Sequence, residues 1–527
     1  MFPFPFYIRE FIFISLYFKL IIFSFGEPFL APNDPFIRHE IRLLGDEGGF
    51  DGMQNTWPLD LGRLSSGLQE SVYNSELLDN RLSEEANSGF SPIYTTLVIA
   101  DDRITARGFG PEPRSSFATN ASVSWMNDRL AAKLSLNAFY GMETDWKGRV
   151  DEGFALDGSY IAARLGNWSA SFGQQERWWG PGWDGSLILS TNARPIPAIS
   201  IDRRIAEPFE TKWLSWIGPW SFHSFIGRME EERTVPNPYL WGTRGEVRPT
   251  ILSGLEIGFF RMIQLGGKGR PEGFNTWADA FLSQDNTGAN TGKDPAKEPG
   301  NQLAGIDFRL QPFDSPFALY GQVVGEDEDK FLPNCLMFQY GIEAWKSLKN
   351  STLRVFAEYA DLTSYWWTND PRTRNLSYGH HIYNDGYRYR GRPVGHWADQ
   401  DSQILSVGGL GFIGYLTLVS EFLYIGLGPT MANSIVGVLS AIVDNIPVMF
   451  AVITMRPEMS IDQWLLVTLT TGVGGSLLSI GSAAGVALMG QARGYYTFFG
   501  HLKWTPVIFI GYVASIYLHV LMTDLPW

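Results

Sequence analysis

The sequence predicts a two-part membrane protein. The first part is an antiparallel transmembrane β-barrel, incomplete at its C-terminal side and preceded by a small helical part. The second is an all-α transmembrane helical segment. Three observations predict this. Aromatic residues make up 14% of the 527 residues, with 19 Trp, 21 Tyr and 36 Phe, and Gly is plentiful at 56. Transmembrane barrels place Trp and Tyr at both interfaces. Between residues 93 and 403 many runs alternate apolar and polar side chains over the ~9–11 residues that a tilted membrane-spanning strand needs. From Ile404 onward the alternation gives way to long apolar stretches. The composition alone also suits an aromatic-rich soluble β-protein such as a carbohydrate binder.

Taken in order, residues 1–26 form a signal-like apolar segment. Its core runs from Phe11 to Phe25, interrupted by Lys19 and preceded by Arg9. That is short for a membrane span and suitable for an export signal. Residues 27–92 read as a periplasmic lead-in. Its first half, 27–60, is rich in Pro, Gly and Asp and reads as irregular. Its second half, 62–88, spaces Leu64, Leu68, Val72, Leu77, Leu78 and Leu82 as a short amphipathic helical pair would.

Residues 93–403 read as the barrel. Asn127-Asp128 splits Ala121–Tyr140 into a hairpin, and Gly166-Asn167 does the same for Tyr160–Gly173. Further strands are expected at 219–228, 253–263, 302–311, 316–325, 336–345 and 351–360, the last two joined by Lys349-Asn350. Long polar linkers such as 266–301 suit the outer loops of such a barrel.

Residues 404–527 follow different rules. Positions 404–455 hold no Lys or Arg and two acids, Glu421 and Asp444. Apolar stretches at 404–427, 431–454, 463–490 and 504–523 are each long enough to span a bilayer as a helix.

The formal charge is −14, from 41 Lys+Arg against 55 Asp+Glu. This argues against a nucleic-acid partner, which needs clustered cations. The one cysteine, Cys335, can build neither a disulfide framework nor a thiolate metal site. Nucleophile-and-base sets, phosphate loops and zinc motifs do not stand out, so no enzyme activity and no resident cofactor are expected. Glu326, Asp327, Glu328 and Asp329 read as a solvated acidic loop. His380-His381, with Tyr378 and Asp385, lack a third well-spaced ligand for a metal.

The stretch Gln174–Arg204, QQERWWGPGWDGSLILSTNARPIPAISIDRR, follows Ser171-Phe172-Gly173. With Thr56-Trp57-Pro58-Leu59, Trp213–Trp220, Gln302–Asp307, Leu319–Gln322, Gly325–Glu328 and Gly386–Pro393, it resembles the Wzi capsule-assembly family over residues 28–403. The resemblance implies a monomeric outer-membrane barrel with a small helical part on its periplasmic side. It implies capsular polysaccharide and the lipid bilayer as partners, no obligate protein partner and no catalysis. Trp178, Trp179 and Trp183 could stack on sugar rings, and Arg177, Asn192 and Arg194 could reach hydroxyls and acidic groups. The same residues also suit a buried folding element.

Residues 407–523 resemble the C-terminal end of NhaD-type sodium/proton antiporters, through VGGLGFIGYLTLVSEFLYIGLGPTMAN, VGVLSAIVDNIPVMFAVITM, QWLLVTLTTGVGGSLLSIGSAAGVALMGQARG and YTFFGHLKWTPV. Asp444 sits mid-span, where an ionised acid is costly and by default functional. Asn445 and Pro447 follow it, and Ser476, Ser479 and Ser482 lie in a Gly-interrupted run of the kind that builds cation sites. These Ser residues equally suit close helix packing. The transported ions implied are Na+ and H+, and the membrane implied is the inner one. The match covers only the end of that family, so the facing half of its inverted repeat is missing. A third reading is a periplasmic carbohydrate-binding β-protein anchored by the helices.

Overall fold

The computed structural model describes residues 14–18, 28–50, 52–61, 89–91, 93–100, 107–110, 112, 114–142, 152–281, 300–329, 332–348, 351–365, 376–413, 424, 427–441, 448–449, 452, 459–478, 497–523 and 525. The chain divides into two units. One holds residues 1–346 and 354–410, the other 347–353 and 411–527.

The first unit is dominated by one large antiparallel sheet. Both hairpins read from the sequence form. Ser115–Met126 pairs with Leu130–Met142, and Tyr160–Leu165 pairs with Trp168–Gly173. A continuous meander follows through Ala198–Arg203, Trp220–Arg228, Tyr239–Val247, Leu255–Leu265, Gly300–Leu310, Phe317–Asp329, Leu332–Leu348 and Ser351–Tyr365. The six further strands expected are all present, shifted or lengthened at their ends, and Lys349-Asn350 lies outside the described residues. The strands Ala198–Arg203 and Tyr239–Val247 were not anticipated. Among the described residues the sheet is not closed.

Alternation sets the two faces. One side of the wall carries Leu134, Leu136, Ile161, Phe172, Ile199, Ile306, Leu319 and Ile342, all exposed. The other side carries Leu240, Phe260, Met262, Leu303, Val324 and Met337, buried in one cluster with Trp179, Leu187, Ile188 and Leu189. The interior is therefore filled by the segment after Gly173. Turns at 127–129, 166–167, 248–254 and 311–316 lie at one end of the strands. The long connections 266–299 and 366–402 lie at the other.

Several expectations are corrected. Residues 27–60 are not irregular throughout, because Pro35–Asp46 is a helix. Asp34 caps it, accepting from the Phe36 and Ile37 amides, and Pro35 opens it at a position where a missing N–H costs nothing. Ile37, Ile41 and Leu44 form its apolar stripe against Phe50, Trp57, Leu59, Phe109 and Trp178. The polar linker 266–301 contains a second helix, Phe274–Phe281. Tyr94–Ile99 pairs with a further strand that was not expected, Ile14–Phe18. The amphipathic pair expected at 62–88 lies outside the described residues.

The change of texture at Ile404 is also misplaced. Gln403–Ile413 is a strand beside Ser351–Tyr365. Its pattern does alternate. Leu405 and Val407 are 71% and 77% exposed, while Ser406 turns to the other face and donates to Asp184. Isolated Gly and Ser residues made the run look like a helix by mean hydropathy.

In the second unit, helices span Pro429–Leu439, Ile461–Gly474, Phe498–Leu502 and Thr505–Thr523. Among the described residues, Thr505–Thr523 alone is long and apolar enough to cross a membrane, with hydropathy 1.7. The first two helices touch closely. A Cβ on Gly474 would lie 1.8 Å from the Gly437 carbonyl oxygen. Asn433 donates to Gln463, and the Gln463 amide donates to Thr430 at 2.7 Å. Small residues and paired amides are how helices associate without a hydrophobic drive. Ile461–Gly474 stops at Gly474-Gly475, just before Ser476 of the Gly-interrupted run.

Candidate functional site: the plugged lumen and its loop end

The helix Pro35–Asp46 sends two arginines into the wall of the sheet and the loop beside it. Arg38 donates to the carbonyls of Gly182 at 2.7 Å, Gly180 at 3.1 Å and Pro181 at 3.2 Å. Its guanidinium lies 4.1 Å from the Phe109 ring centre and 4.6 Å from that of Trp183. Arg42 donates to the Pro181 carbonyl at 2.7 Å, to Asn55 and to Glu343.

Glu343 is the hub. It accepts from Arg42 at 3.1 Å, Arg309 at 2.6 Å and the Trp183 indole at 2.7 Å, and it pairs with Arg354 at 3.1 Å. Asp46, at the end of the helix, pairs with Arg309 and Arg354 at 2.7 and 2.9 Å. A second buried set joins Arg244 to Asp307, Glu246 and Thr56. Gly258 makes room for it, since a Cβ there would meet the Arg244 guanidinium at 2.4 Å. Burial holds the Arg38 guanidinium well below its ordinary value. Burial, and then the Arg354 charge, bring His39 down to about 4. His39 is thus neutral, and its Nδ1 accepts from Arg354 Nε at 3.1 Å.

At the loop end, residues 376–400 fold down onto the same central segment. The Tyr378 and Tyr387 hydroxyls donate to the Leu187 and Ile188 carbonyls at 2.6 and 2.8 Å. Tyr383 donates to the Gly266 carbonyl, and Arg233 to those of Gly386 and Arg388. Burial pushes the Tyr378 and Tyr387 hydroxyls upward, so they stay protonated donors.

The six residues proposed for sugar contact fall within this packing. Trp178, Trp179 and Trp183 are 0%, 2% and 4% exposed. Trp178 stands edge-on to Phe109, and Trp183 stacks on Phe356. Arg177 donates to Ser200 and lies over the Phe225 ring; burial pushes it down to about 10. Arg194 pairs with Asp157 at 2.8 Å. Asn192 donates to the Pro393 carbonyl at 3.0 Å. Arg177 and Arg194 line one cavity of about 20 Å³, room for one water and not for a sugar ring. The structure buries all six side chains.

In the helical unit, Ser476 is exposed, and its carbonyl lies 2.8 Å from His501 Nε2. Asp444, Asn445, Ser479 and Ser482 lie outside the described residues.

Sequence reasoning missed Arg38, Arg42, Arg309, Glu343 and Arg354. Their charges stand on strands or a helix in positions that alternation alone assigns to a wet interior. It also missed Asp184, Glu358 and His396, whose ligand atoms approach within 4.8 Å of one another. Glu358 already accepts from the Trp183 and Gly185 amides, Tyr320 and Gln339. These four donors fill its lone pairs. The Ala398 amide donates to His396 Nδ1. Asp184 and the second ring nitrogen alone are too few for a metal.

A plugged antiparallel wall with an apolar outer face defines the molecule as a protein of the β-barrel membrane class. Residues 94–416 match the family model described as capsule assembly protein Wzi. The chain belongs to that family. It is 34% identical over 345 residues to an uncharacterized 55.8 kDa protein in the cps region of Klebsiella pneumoniae, covering 63% of this chain and 65% of that one. A solved structure of Escherichia coli Wzi has a TM-score of 0.62 and 30% identity, covering 73% of this chain and 82% of that one. That protein is described as an outer membrane protein involved in group 1 capsule assembly and a carbohydrate-binding β-barrel. A separate stretch is 74% identical over 117 residues to the Na(+)/H(+) antiporter NhaD of Alkalimonas amylolytica, covering 22% of this chain. The chain spans about a quarter (24%) of that antiporter's length and 65% of the Klebsiella protein's.

Two outcomes follow from the network. Glu343→Ala leaves three arginines without their shared anion, and a broken buried ion pair costs about 3–5 kcal/mol. The variant should therefore unfold at clearly lower denaturant in detergent than the parent, while Glu232→Ala at an exposed position should not.

For His39, the folded value is about 4 against an ordinary 6.5. A base with a depressed folded pKa contributes fully above its unfolded value, and that contribution is lost as pH falls from 6.5 toward 4. The shift corresponds to about 3 kcal/mol at most. Melting midpoints measured from pH 7 to pH 4.5 should fall less steeply in His39→Gln than in the parent.

Proposed function

We propose that this chain is a non-enzymatic outer-membrane protein that holds capsular polysaccharide at the cell surface, and that it carries part of a sodium/proton antiporter as a tail. The membership of residues 94–416 in the Wzi family carries the reading. The geometry supports it chemically. A lumen filled by a helix, by buried ion pairs and by the 376–400 loop is no solute channel. Binding then falls to the outer surface of the loop end, where polar groups on rigid loops meet the polymer. The tail is the product of a fusion near the strand Gln403–Ile413, and a long genomic read across the codons for residues 395–415 checks that the junction exists. In a capsulated host, deleting the gene should release capsule into the medium without stopping its synthesis. Unchanged cell-bound capsule would count against the assignment.

The antiporter reading rests on the 74% identity of the tail. Alternating access needs two halves that rock about a shared site, and the tail supplies about a quarter of the relative. We expect no sodium-dependent proton flux from this chain in inverted vesicles of antiporter-deficient cells. Robust flux that disappears in Asp444→Ala would promote transport to the main activity.

A further inference from the structure

The helix Phe274–Phe281 lies on the outer side of the wall, not in the lumen. Tyr239–Val247 pairs with Leu255–Leu265 so that Trp241 stands opposite Ile263. In the latter strand Phe260, Met262 and Gln264 face the packed interior, so Ile263 and Leu265 face outward. Both are nonetheless buried, at 3% and 0% exposed, together with Ala280 of the helix. The helix covers them. Trp277 leans on Trp241 at 5.9 Å and on Tyr239 at 5.6 Å, and Phe281 stacks on Trp241 at 5.5 Å. Arg261, also on the outer side, donates to the Ala280 and Phe281 carbonyls at 2.8 and 2.9 Å and so ties down the helix C-terminus.

The docked helix leaves part of its aromatic stripe uncovered. Phe274, Trp277 and Phe281 share one stripe at i, i+3 and i+7. Protein covers only half of it, for Phe274 is 85% and Phe281 58% exposed. Asn275 and Asp279 are exposed as well, on the opposite side of the helix from that stripe. The uncovered rings continue the apolar outer face that Phe259 and Ile306 carry on the strands below. At the same level the exposed Arg228 lies 5.4 Å from the Tyr239 ring, placing a cation beside the aromatic cluster. Apolar rings on a short helix with a neighbouring cation match the boundary between acyl chains and phosphate headgroups.

We propose that the helix Phe274–Phe281 is a membrane-interface anchor, seated with Phe274 and Phe281 among the acyl chains of the leaflet at the loop end and with Arg228 at its phosphates. The inference rests on the bilayer reading above. It assigns part of the 266–299 connection to lipid rather than to polysaccharide, and so fixes the height at which the wall leaves the membrane.

The test uses the full chain in liposomes containing lipids brominated on their acyl chains. The buried Cys335 is first replaced, Cys335→Ser, and a fluorophore is attached through Phe274→Cys, Asp279→Cys or Leu319→Cys in turn. Leu319 faces out from the wall where its strand pairs with Leu310, near the turn end. Retention of the folded, heat-modifiable band on gels confirms each variant. Brominated chains should quench the label at 274 several-fold more than at 279, and nearly as well as at 319. Quenching at 319 without quenching at 274 overturns the anchor alone. Absence of quenching at 319 overturns the bilayer reading and the anchor with it.

Discussion

The fold turns on one carboxylate. Glu343 stands on a wall strand, yet its partners come from everywhere that matters: Arg42 from the N-terminal helix, Arg309 and Arg354 from neighbouring strands, and the Trp183 indole from the central loop. Burying a charge costs several kcal/mol unless paired and hydrogen-bonded. Three guanidiniums and an indole offset that cost only when helix, wall and loop sit together. The interaction therefore specifies an arrangement more than it adds stability. Arg38 extends it by collecting three successive carbonyls that the Gly180-Pro181-Gly182 turn leaves without strand partners.

The loop end is organised by the opposite means. Tyrosine hydroxyls rather than charges reach the backbone carbonyls of Leu187 and Ile188, and apolar side chains fill the space between. One end of the lumen is thus ionic and the other apolar. The aromatic-rich motif from Arg177 to Arg194 lies between the two and belongs to both. This explains how it resembles a sugar platform in sequence while being interior in the structure. Stacking, cation–π contact and carbonyl capture use the same residue types whether the partner is a sugar ring or a protein core.

Legibility followed periodicity. Hairpins around Asn127-Asp128 and Gly166-Asn167 were readable, because turn residues and period-two patterning agree there. Strands 220–228, 255–265 and 300–310 were readable for the same reason. Tyr239–Val247 is not, because Trp241, Gly242, Arg244 and Glu246 break the apolar–polar alternation with a glycine and with charges that pair with each other and with Asp307 two strands away. Gln403–Ile413 is not legible as a strand, because glycines at 408 and 409 hide its alternation and the apolar tail follows directly. The helix 274–281 is too short to show a period inside a polar linker. Of the site, the residues of the central motif are legible, and the structure buries them. The ion-pair hub was invisible, since Arg42 and Glu343 are 301 residues apart and nothing local marks them as partners.

That separation has a kinetic meaning. The ribosome makes the helix Pro35–Asp46 near the start, but its anion and the two wall arginines around it arrive some three hundred residues later. High contact order of this kind delays closure of the structure, because distant segments must meet before any of the charges is neutralised. Until then Arg38 and Arg42 remain hydrated, and the helix has no reason to enter the wall. The last residue of that ionic set, Arg354, precedes the helical tail by fewer than sixty positions. The plug can therefore settle only once nearly the whole of the sheet that receives it has been made.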